Sequence, residues 1–431
     1  MSAPEPHHAL TPRRETVTLL ALGAVQFTHI LDFMIMMPLG TQLMRAFQIT
    51  PAQFTHLVAC YGLAAAVSGF AGGFFMDRFD RKRALLVLYA GFALATLACG
   101  LAPTHHWLLV ARLAAGAFGG LAGSMVTAMV GDIIPPARRG RAMSVVMSAF
   151  PVASVLGVPA GLVLAGHYGW HAPFFMLAGC AAVNLLAGSL ALPHLRTAVH
   201  GHDPRRQMRE ILTHGIHLRA FAVGAVLVMS GGVLIPFIAP SFIANVGLDE
   251  KIQLPLAYAV GGVAAFFSMP LVGRLSDRVD RLHLLAWISA AAIVTVLWIT
   301  RLGPSSLAVP ATAMALFMVT MSGRFAPAMT MVTNAVAARY RGGFMSVNAA
   351  LQQAASGLAN VLAGVFVTAG PDGHLAGLPL LGWVSIGFFV LTVLLAFELR
   401  AAAPHVAAPT SQKLPSALAD VAQKAPPVAT G

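Results

Sequence analysis

An all-α protein that crosses a membrane many times is the fold class this sequence predicts, on three observations. The chain is 58% hydrophobic and only 10% charged, with a mean hydropathy of +0.77, whereas soluble domains carry roughly 25% charged residues. Apolar stretches of about 20 residues recur along it, each long enough to cross about 30 Å of hydrocarbon at 1.5 Å per residue. The chain also repeats itself, with the pattern G-x-x-x-D-R-x-D-R at Gly73–Arg81 and again at Gly273–Arg281. Lipid cannot satisfy a free backbone group, so spans must be helices or a closed barrel. Continuous apolar runs, rather than strict alternation, choose helices.

Two further echoes support a duplication. Arg139–Val145 returns as Arg341–Val347 at an offset of 202, and Met37–Gly40 lines up with Ile235–Ile238 at an offset of 198. Three echoes in chain order at nearly one offset are hard to obtain by chance. The first half, 17–195, holds spans near 17–44, 54–76, 84–103, 107–131, 142–166 and 171–193. The second half, 218–400, holds spans near 218–244, 254–273, 283–300, 306–332, 343–369 and 377–399. Outside the halves lie an N-terminal tail (1–16), a polar linker (196–217) and a tail (401–431) rich in Ala and Pro, expected to be disordered. The N-terminal tail lacks the apolar core of a cleavable signal peptide.

Charge placement orients the bundle. The net charge of +12 suggests nucleic acid until the positions are examined. Of 27 Lys and Arg, 22 fall on the side of the termini; Arg45, Lys251 and Arg301 face the other side, and Arg112 and Arg324 lie within spans. Positive residues stay cytoplasmic, so both termini and the linker are expected in the cytoplasm. The surplus then reflects topology and contact with anionic lipids, and a nucleic-acid partner is not expected. Cys60, Cys99 and Cys180 sit in apolar spans without ligand spacing, and read as small packing residues rather than a metal site.

The intramembrane charges point to chemistry. Of 15 acidic residues, only Asp32 lies well inside a span. A charge at the bilayer centre costs roughly 2.5–3.5 kcal/mol on insertion scales, so such a residue faces a cavity, a partner or a substrate path. A carboxylate withdrawn from water can load and release protons. His29, one turn earlier, lies on nearly the same face and could relay that proton. The alternative for Asp32 is a permanently paired structural carboxylate. Arg112 could snorkel to the interface or turn inward to meet Asp32. Arg324 lies deeper and could hold an anionic group, act as a counter-charge or pair structurally. Met34, Met37 and Phe33 would line a loosely specific cavity, although Met at helical spacing equally suits plain packing. Ala153, Gly157 and Gly161 place small residues at intervals of four, which lets helices approach, and Pro159 favours a kink.

These features resemble the major facilitator superfamily, whose halves are parallel repeats built from inverted ones. The resemblance covers nearly all of 17–400. Gly73–Arg83, with Asp77, Arg78 and Arg81, resembles the signature G-x-x-x-D-R-x-G-R-R/K, with Asp80 in place of the second Gly. The second copy, Gly273, Asp277, Arg278 and Arg281, shares that departure at Asp280. The resemblance implies that Asp77 caps a helix of the other half and that Arg81 pairs with an acid at the inner end of span four, which Asp132 fits. Together they would latch an outward-open state. Arg112–Gly116 resembles the R-x-x-x-G of proton-coupled members, and Ala153–Gly161 the span-five antiporter motif, with Ala replacing its first Gly. Asp32–Pro38 resembles the acidic first span of twelve-span drug–proton antiporters, and the sugar (arabinose) efflux permeases of that group resemble the chain best.

The resemblance implies a major facilitator fold and proton-coupled efflux of a small molecule by a monomer of the inner membrane. Asp32, His29 and Arg112 would couple protons, with substrate and proton competing at Asp32. A proton-coupled importer or facilitator of a sugar or metabolite is the alternative, and a receptor-like protein that has lost transport is a third. The chain shows no H-E-x-x-H, no G-x-S-x-G and no P-loop, so an enzyme is not expected, and the reading requires no cofactor or metal.

Overall fold

Polar turns between apolar runs decide where each helix starts and stops. The computed structural model describes residues 11–75, 79–135, 138–193, 204–337, 340–370 and 373–408. The first half comprises α1 (Pro12–Ile35), α2 (Gly40–Phe47), α3 (Pro51–Phe75), α4 (Arg81–Gly100) and α5 (His105–Ile133). It continues with α6 (Arg139–Met147), α7 (Ala149–Val152), a π-helical turn (Ala153–Gly157), α8 (Val158–Tyr168) and α9 (Ala172–Ala191). After α10 (Pro204–Thr213), the second half runs through α11 (Gly215–Gly232), α12 (Ile235–Ala244), α13 (Gln253–Arg278), α14 (Arg281–Ile299), α15 (Ala308–Asn334), α16 (Arg341–Phe366) and α17 (Leu378–Ala402). A two-residue ladder, Thr368–Ala369 with Leu375–Ala376, joins the last two helices.

Among the described residues, eleven helical segments are long and apolar enough to cross a membrane. The twelfth, α16, is 26 residues long but carries Asn348, Gln352, Gln353, Ser356 and Asn360, which lower its hydropathy. Twelve crossings in two sixes make up the bundle.

Several boundaries differ from the sequence reading, for local reasons. The spans expected as continuous at 17–44 and 218–244 are each broken, between Ile35 and Gly40 and between Gly232 and Ile235. Pro38 and Pro236 lie at or beside the breaks, and neither offers a backbone donor to continue a helix. The linker contains α10, an amphipathic helix whose Ile211 is fully buried. The last helix runs to Ala402, and Val406 and Ala407 beyond it are buried, so ordered packing extends past residue 401. The span-five bend falls at the π turn before Pro159 rather than at the proline, and such a turn absorbs a disrupted backbone ladder. Cys180 is exposed on the outside of α9, unlike buried Cys60 and Cys99.

The cores show how the halves meet. One large cluster draws on both halves and includes Leu31, Phe54, Phe237 and Leu254. Two others stay within one half each: Leu22, Tyr89 and Met129 in the first, Phe221, Met331 and Leu399 in the second. The shared core lies at the end remote from the chain termini, and the separate cores lie at the end that bears them. Two seams close the shared end. A Cβ at Gly357 of α16 would fall 2.6 Å from Leu63 Cγ of α3, and one at Gly262 of α13 would fall 2.8 Å from the Ser154 carbonyl. Only glycine lets these backbones approach so closely. Arg45 also pairs with Glu250 across the same end.

Candidate functional site

Asp32 lies late in α1, where the only carboxylate well inside a span among the described residues meets α3, α4 and α5. Arg112 Nη1 of α5 donates to Asp32 Oδ2 at 2.6 Å, and both side chains are fully buried. The same nitrogen lies 3.4 Å from the Asp32 carbonyl, and Thr96 of α4 donates to Oδ1 at 3.4 Å. The guanidinium carbon sits 4.3 Å from the centroid of the Tyr61 ring of α3, a cation–π contact strengthened by desolvation. Arg112 thus turns inward rather than snorkelling. Gly116, one turn further along α5, makes this possible: a Cβ there would fall 2.3 Å from the Tyr61 carbonyl oxygen. Arg112 and Gly116 of the R-x-x-x-G pattern therefore act together, one as the charge and the other as the clearance that brings α3 alongside.

His29 belongs to the same cluster without bonding to it. Its ring lies 5.9 Å from Tyr61 and 6.1 Å from Phe92 between centroids. Neither ring nitrogen has a hydrogen-bond partner, nor does the Tyr61 hydroxyl. Gly119 admits them both, since a Cβ there would fall 2.6 Å from His29 Cδ2 and 2.7 Å from Tyr61 Oη. A buried imidazole with two free nitrogens can accept or pass a proton. Phe33 lies tilted against Tyr61, with 5.7 Å between ring centroids. Met34 packs partly buried against the shared core, and Met37, 5% exposed, lies within it.

Arg324 is equally buried but differently held. Its Nε donates to Ser289 Oγ at 3.0 Å and its Nη1 to Ser230 Oγ at 2.8 Å, while the guanidinium carbon lies 4.2 Å from the Phe389 centroid. Nη2 has no partner, and no carboxylate among the described residues reaches the group. These partners come from α14, α11 and α17, so the side chain points into the second half's own bundle, far from Asp32 in sequence and in partners.

Comparison with known proteins decides the family. The model of the Major Facilitator Superfamily matches residues 22–360. The chain belongs to this superfamily. It is 30% identical over 173 residues to an uncharacterized MFS-type transporter of Bacillus subtilis, covering 40% of this chain and 44% of that one. It is 30% identical over 245 residues to a chloramphenicol resistance protein of Streptomyces lividans, covering 56% and 59%. The chain therefore spans about half the length of these two relatives. A chloramphenicol efflux pump of Mycobacterium tuberculosis is 25% identical over 309 residues, covering 68% and 70%. The fold matches that of a bacterial homolog of the human lysosomal transporter Spinster, solved inward-facing and unoccupied. That match has a TM-score of 0.74 at 17% identity and covers 93% of this chain and 99% of that one. The family and the eleven long apolar helices among the described residues make the chain a multi-pass membrane protein.

The charged turns of this superfamily member differ between its two copies. Arg81 Nε donates to Asp132 Oδ2 at 3.0 Å, which joins the start of α4 to the end of α5. Gly73 lies near the end of α3, and Asp77 and Arg78 lie outside the described residues. In the second copy, Gly273, Asp277 and Arg278 complete the last turns of α13. The Arg281 guanidinium donates to the carbonyls of Val406 and Ala408, and its backbone N–H to that of Ala407 at 3.0 Å. The two departures from the signature have a local cause. Asp80 caps α4 by accepting from the Arg83 N–H, and Asp280 caps α14 by accepting from Leu282 and His283. An aspartate at the N-cap satisfies donors that a helix start leaves open.

Tyr61, Thr96, Gly119, Ser230 and Ser289 carry no charge and fit no spacing pattern, so sequence reasoning did not single them out. Gly119 had a signal, one turn beyond the glycine of R-x-x-x-G on the same helix. In the span-five segment, Ala153 and Gly157 bound the π turn, and Gly161 faces Ile35, whose Cδ1 lies 2.6 Å from where a Cβ would stand. These small residues seat α1 against α8 within the first half, while Ser154 and Val155 of the π turn meet Gly262 across the seam.

Proposed function

We propose that the chain is a proton-coupled exporter of a small molecule, working as a monomer in the inner membrane with both termini in the cytoplasm. The observation that carries this reading is the buried Asp32–Arg112 pair, the one carboxylate that the chain commits to the membrane interior. In its ionised form Asp32 holds Arg112 at 2.6 Å. Taking up a proton removes its charge, releases the guanidinium from its strongest partner and loosens α1 from α5. Losing the proton restores the pair. His29, with both nitrogens free, is placed on the same helix to pass the proton in or out.

The pair has no exposed surface, which favours coupling through helix positions over direct contact of cargo with the carboxylate. Coupling would run through the positions of α1 and α5 to α3 and the π turn beside them, which make the seams with the second half. The shared core at one end and separate cores at the other support alternating access, with this structure open toward the termini. Asp77 and Arg78, close in sequence to Arg81, whose pair with Asp132 is already formed here, would complete the latch with the second half in the opposite state. Arg324 sets the electrostatics of the second half near the cargo route. The names of the Streptomyces and Mycobacterium relatives favour outward transport of a drug-like compound over import.

The test is accumulation of labelled chloramphenicol in cells stripped of their own efflux pumps. Expression of the chain should lower accumulation several-fold, and a protonophore should abolish the difference. Equal accumulation with and without the chain would overturn the reading for this cargo, and a difference that survives the protonophore would overturn the coupling.

A further inference from the structure

The second half carries a half-open cavity of about 440 Å³ between α13 and α15, with Met269 and Phe325 partly exposed at its rim. It lies toward the end of the bundle that bears the termini, where the halves have separate cores. Met269 forms part of one wall, and Phe325, Met329, Thr330, Thr333 and Asn334 form the other. The size falls in the range of sites for drug-sized ligands, roughly 300–1,000 Å³.

Three features of the lining identify what fits. No ionisable side chain lines the cavity. A charged ligand would lose water there and gain no counter-charge, which is costly. The one cation of α15, Arg324, lies on the other side of the helix, held by Ser230 and Ser289. Second, the threonines present acceptors. Thr330 Oγ1 donates to the Ala326 carbonyl at 2.8 Å, and Thr333 Oγ1 donates to that of Met329 at 2.8 Å. Each hydroxyl has spent its single proton, and its remaining lone pairs can receive a donor. Third, the apolar part of the lining includes Met269, Met329 and Phe325, side chains that give a flat face and an adaptable one.

We propose that this cavity is the cargo-loading site, and that its ligand is an uncharged amphiphile with an apolar or aromatic body and O–H or N–H donors. The proposal rests on the export reading above and adds a division of labour. The first half handles the proton at Asp32, and the second half holds the cargo at a place with no titratable group.

The experiment measures binding to the full chain in lipid nanodiscs by equilibrium dialysis. The probes are labelled chloramphenicol, which is neutral and carries hydroxyl and amide donors, and labelled tetraphenylphosphonium, a cation with none. Ala326→Trp fills the cavity, Thr330→Val removes an acceptor, Thr330→Ser keeps it, and Leu316→Trp places the same bulk at an exposed position higher on α15. Thermal unfolding of each variant confirms that it is folded. Chloramphenicol should bind saturably to the wild type, to Leu316→Trp and to Thr330→Ser, at least tenfold more weakly to Ala326→Trp, and several-fold more weakly to Thr330→Val. Tetraphenylphosphonium should not bind at this site.

Chloramphenicol binding that ignores Ala326→Trp, or that is absent from the wild type, overturns the proposal. So does tetraphenylphosphonium binding that Ala326→Trp removes. The two readings fail separately. Wild-type protein that exports chloramphenicol while Ala326→Trp binds it normally keeps the export and loses the cavity. Protein that binds as expected but exports nothing keeps the cavity and loses the export.

Discussion

The two halves share an architecture but spend their buried charges differently. By the 198-residue offset that aligns Met37 with Ile235, Asp32 aligns with Ser230. Each is the partner of an arginine from the fourth crossing of its half: Arg112 at 2.6 Å from Asp32, and Arg324 at 2.8 Å from Ser230. The first arginine meets a carboxylate and forms a pair that one proton can open. The second meets hydroxyls and an aromatic face, which no proton at neutral pH can switch. The charged turns repeat the contrast. By the 202-residue offset, Asp132 aligns with Asn334. Arg81 has its acid, whereas Arg281 takes the carbonyls of the C-terminal segment, and His405 of that segment contacts the Asn334 carbonyl. The two halves repeat their helices, and the first half pairs an arginine with a carboxylate at both places.

Removing the arginines gives the largest contrast. Arg112→Ala leaves Asp32 buried without its partner, and should cost about 3–5 kcal/mol, seen as a steep fall in thermal stability and loss of transport. Arg324→Met removes a buried charge that has no counter-charge, and should leave stability within about 1 kcal/mol of wild type or raise it. Equal losses in the two unfolding curves would break the comparison.

Truncation after Ala402 should come next. It takes away the carbonyls on Arg281 and the buried Val406 and Ala407, and should cost about 1–3 kcal/mol for the lost hydrogen bonds to a charged group. Asn334→Asp in the truncated chain should recover at least half of the lost melting temperature, by placing a carboxylate at the position that corresponds to Asp132, the partner of Arg81. No recovery would mean that the two turns are not equivalent.

Two glycines sharpen the comparison at a smaller scale. Gly116→Ala would press a Cβ to 2.3 Å from the Tyr61 carbonyl and should cost about 1–3 kcal/mol. Gly273→Ala meets nothing within 4 Å and should be neutral or slightly stabilising, since alanine favours a helix. The smallest effect belongs to the caps. Asp80→Ala should cost about 0.5–2 kcal/mol. Asp280→Ala should cost slightly more, because it also loses Arg400 at 3.2 Å, a half-exposed pair worth under about 1 kcal/mol.

The sequence reading captured what hydropathy and charge record. Twelve crossings follow from apolar length, the singling out of Asp32 from the cost of a carboxylate within a span, and the duplication from echoed motifs, whereas the Arg81–Asp132 pair was implied by the family resemblance. It was silent where the structure depends on neutral groups. Ser230 and Ser289 are common hydroxyls until Arg324 reaches them, and Tyr61 becomes part of the site only because Gly116 lets α3 approach. The breaks after Ile35 and Gly232 were hidden by unbroken hydropathy, although Pro38 and Pro236 marked them. The docked segment at 403–408 reads as low-complexity tail, and its packing is visible only beside Arg281.

Proton release in everted membrane vesicles tests the central claim most directly. With an inside-acid gradient and an acidic-compartment dye, adding chloramphenicol should evoke proton release from vesicles with the wild-type chain and with Arg324→Met. Vesicles with Asp32→Asn should stay silent although the protein is present and folded. Release from Asp32→Asn equal to wild type would contradict the account, because protons would then cross without the one carboxylate that the first half keeps in the membrane.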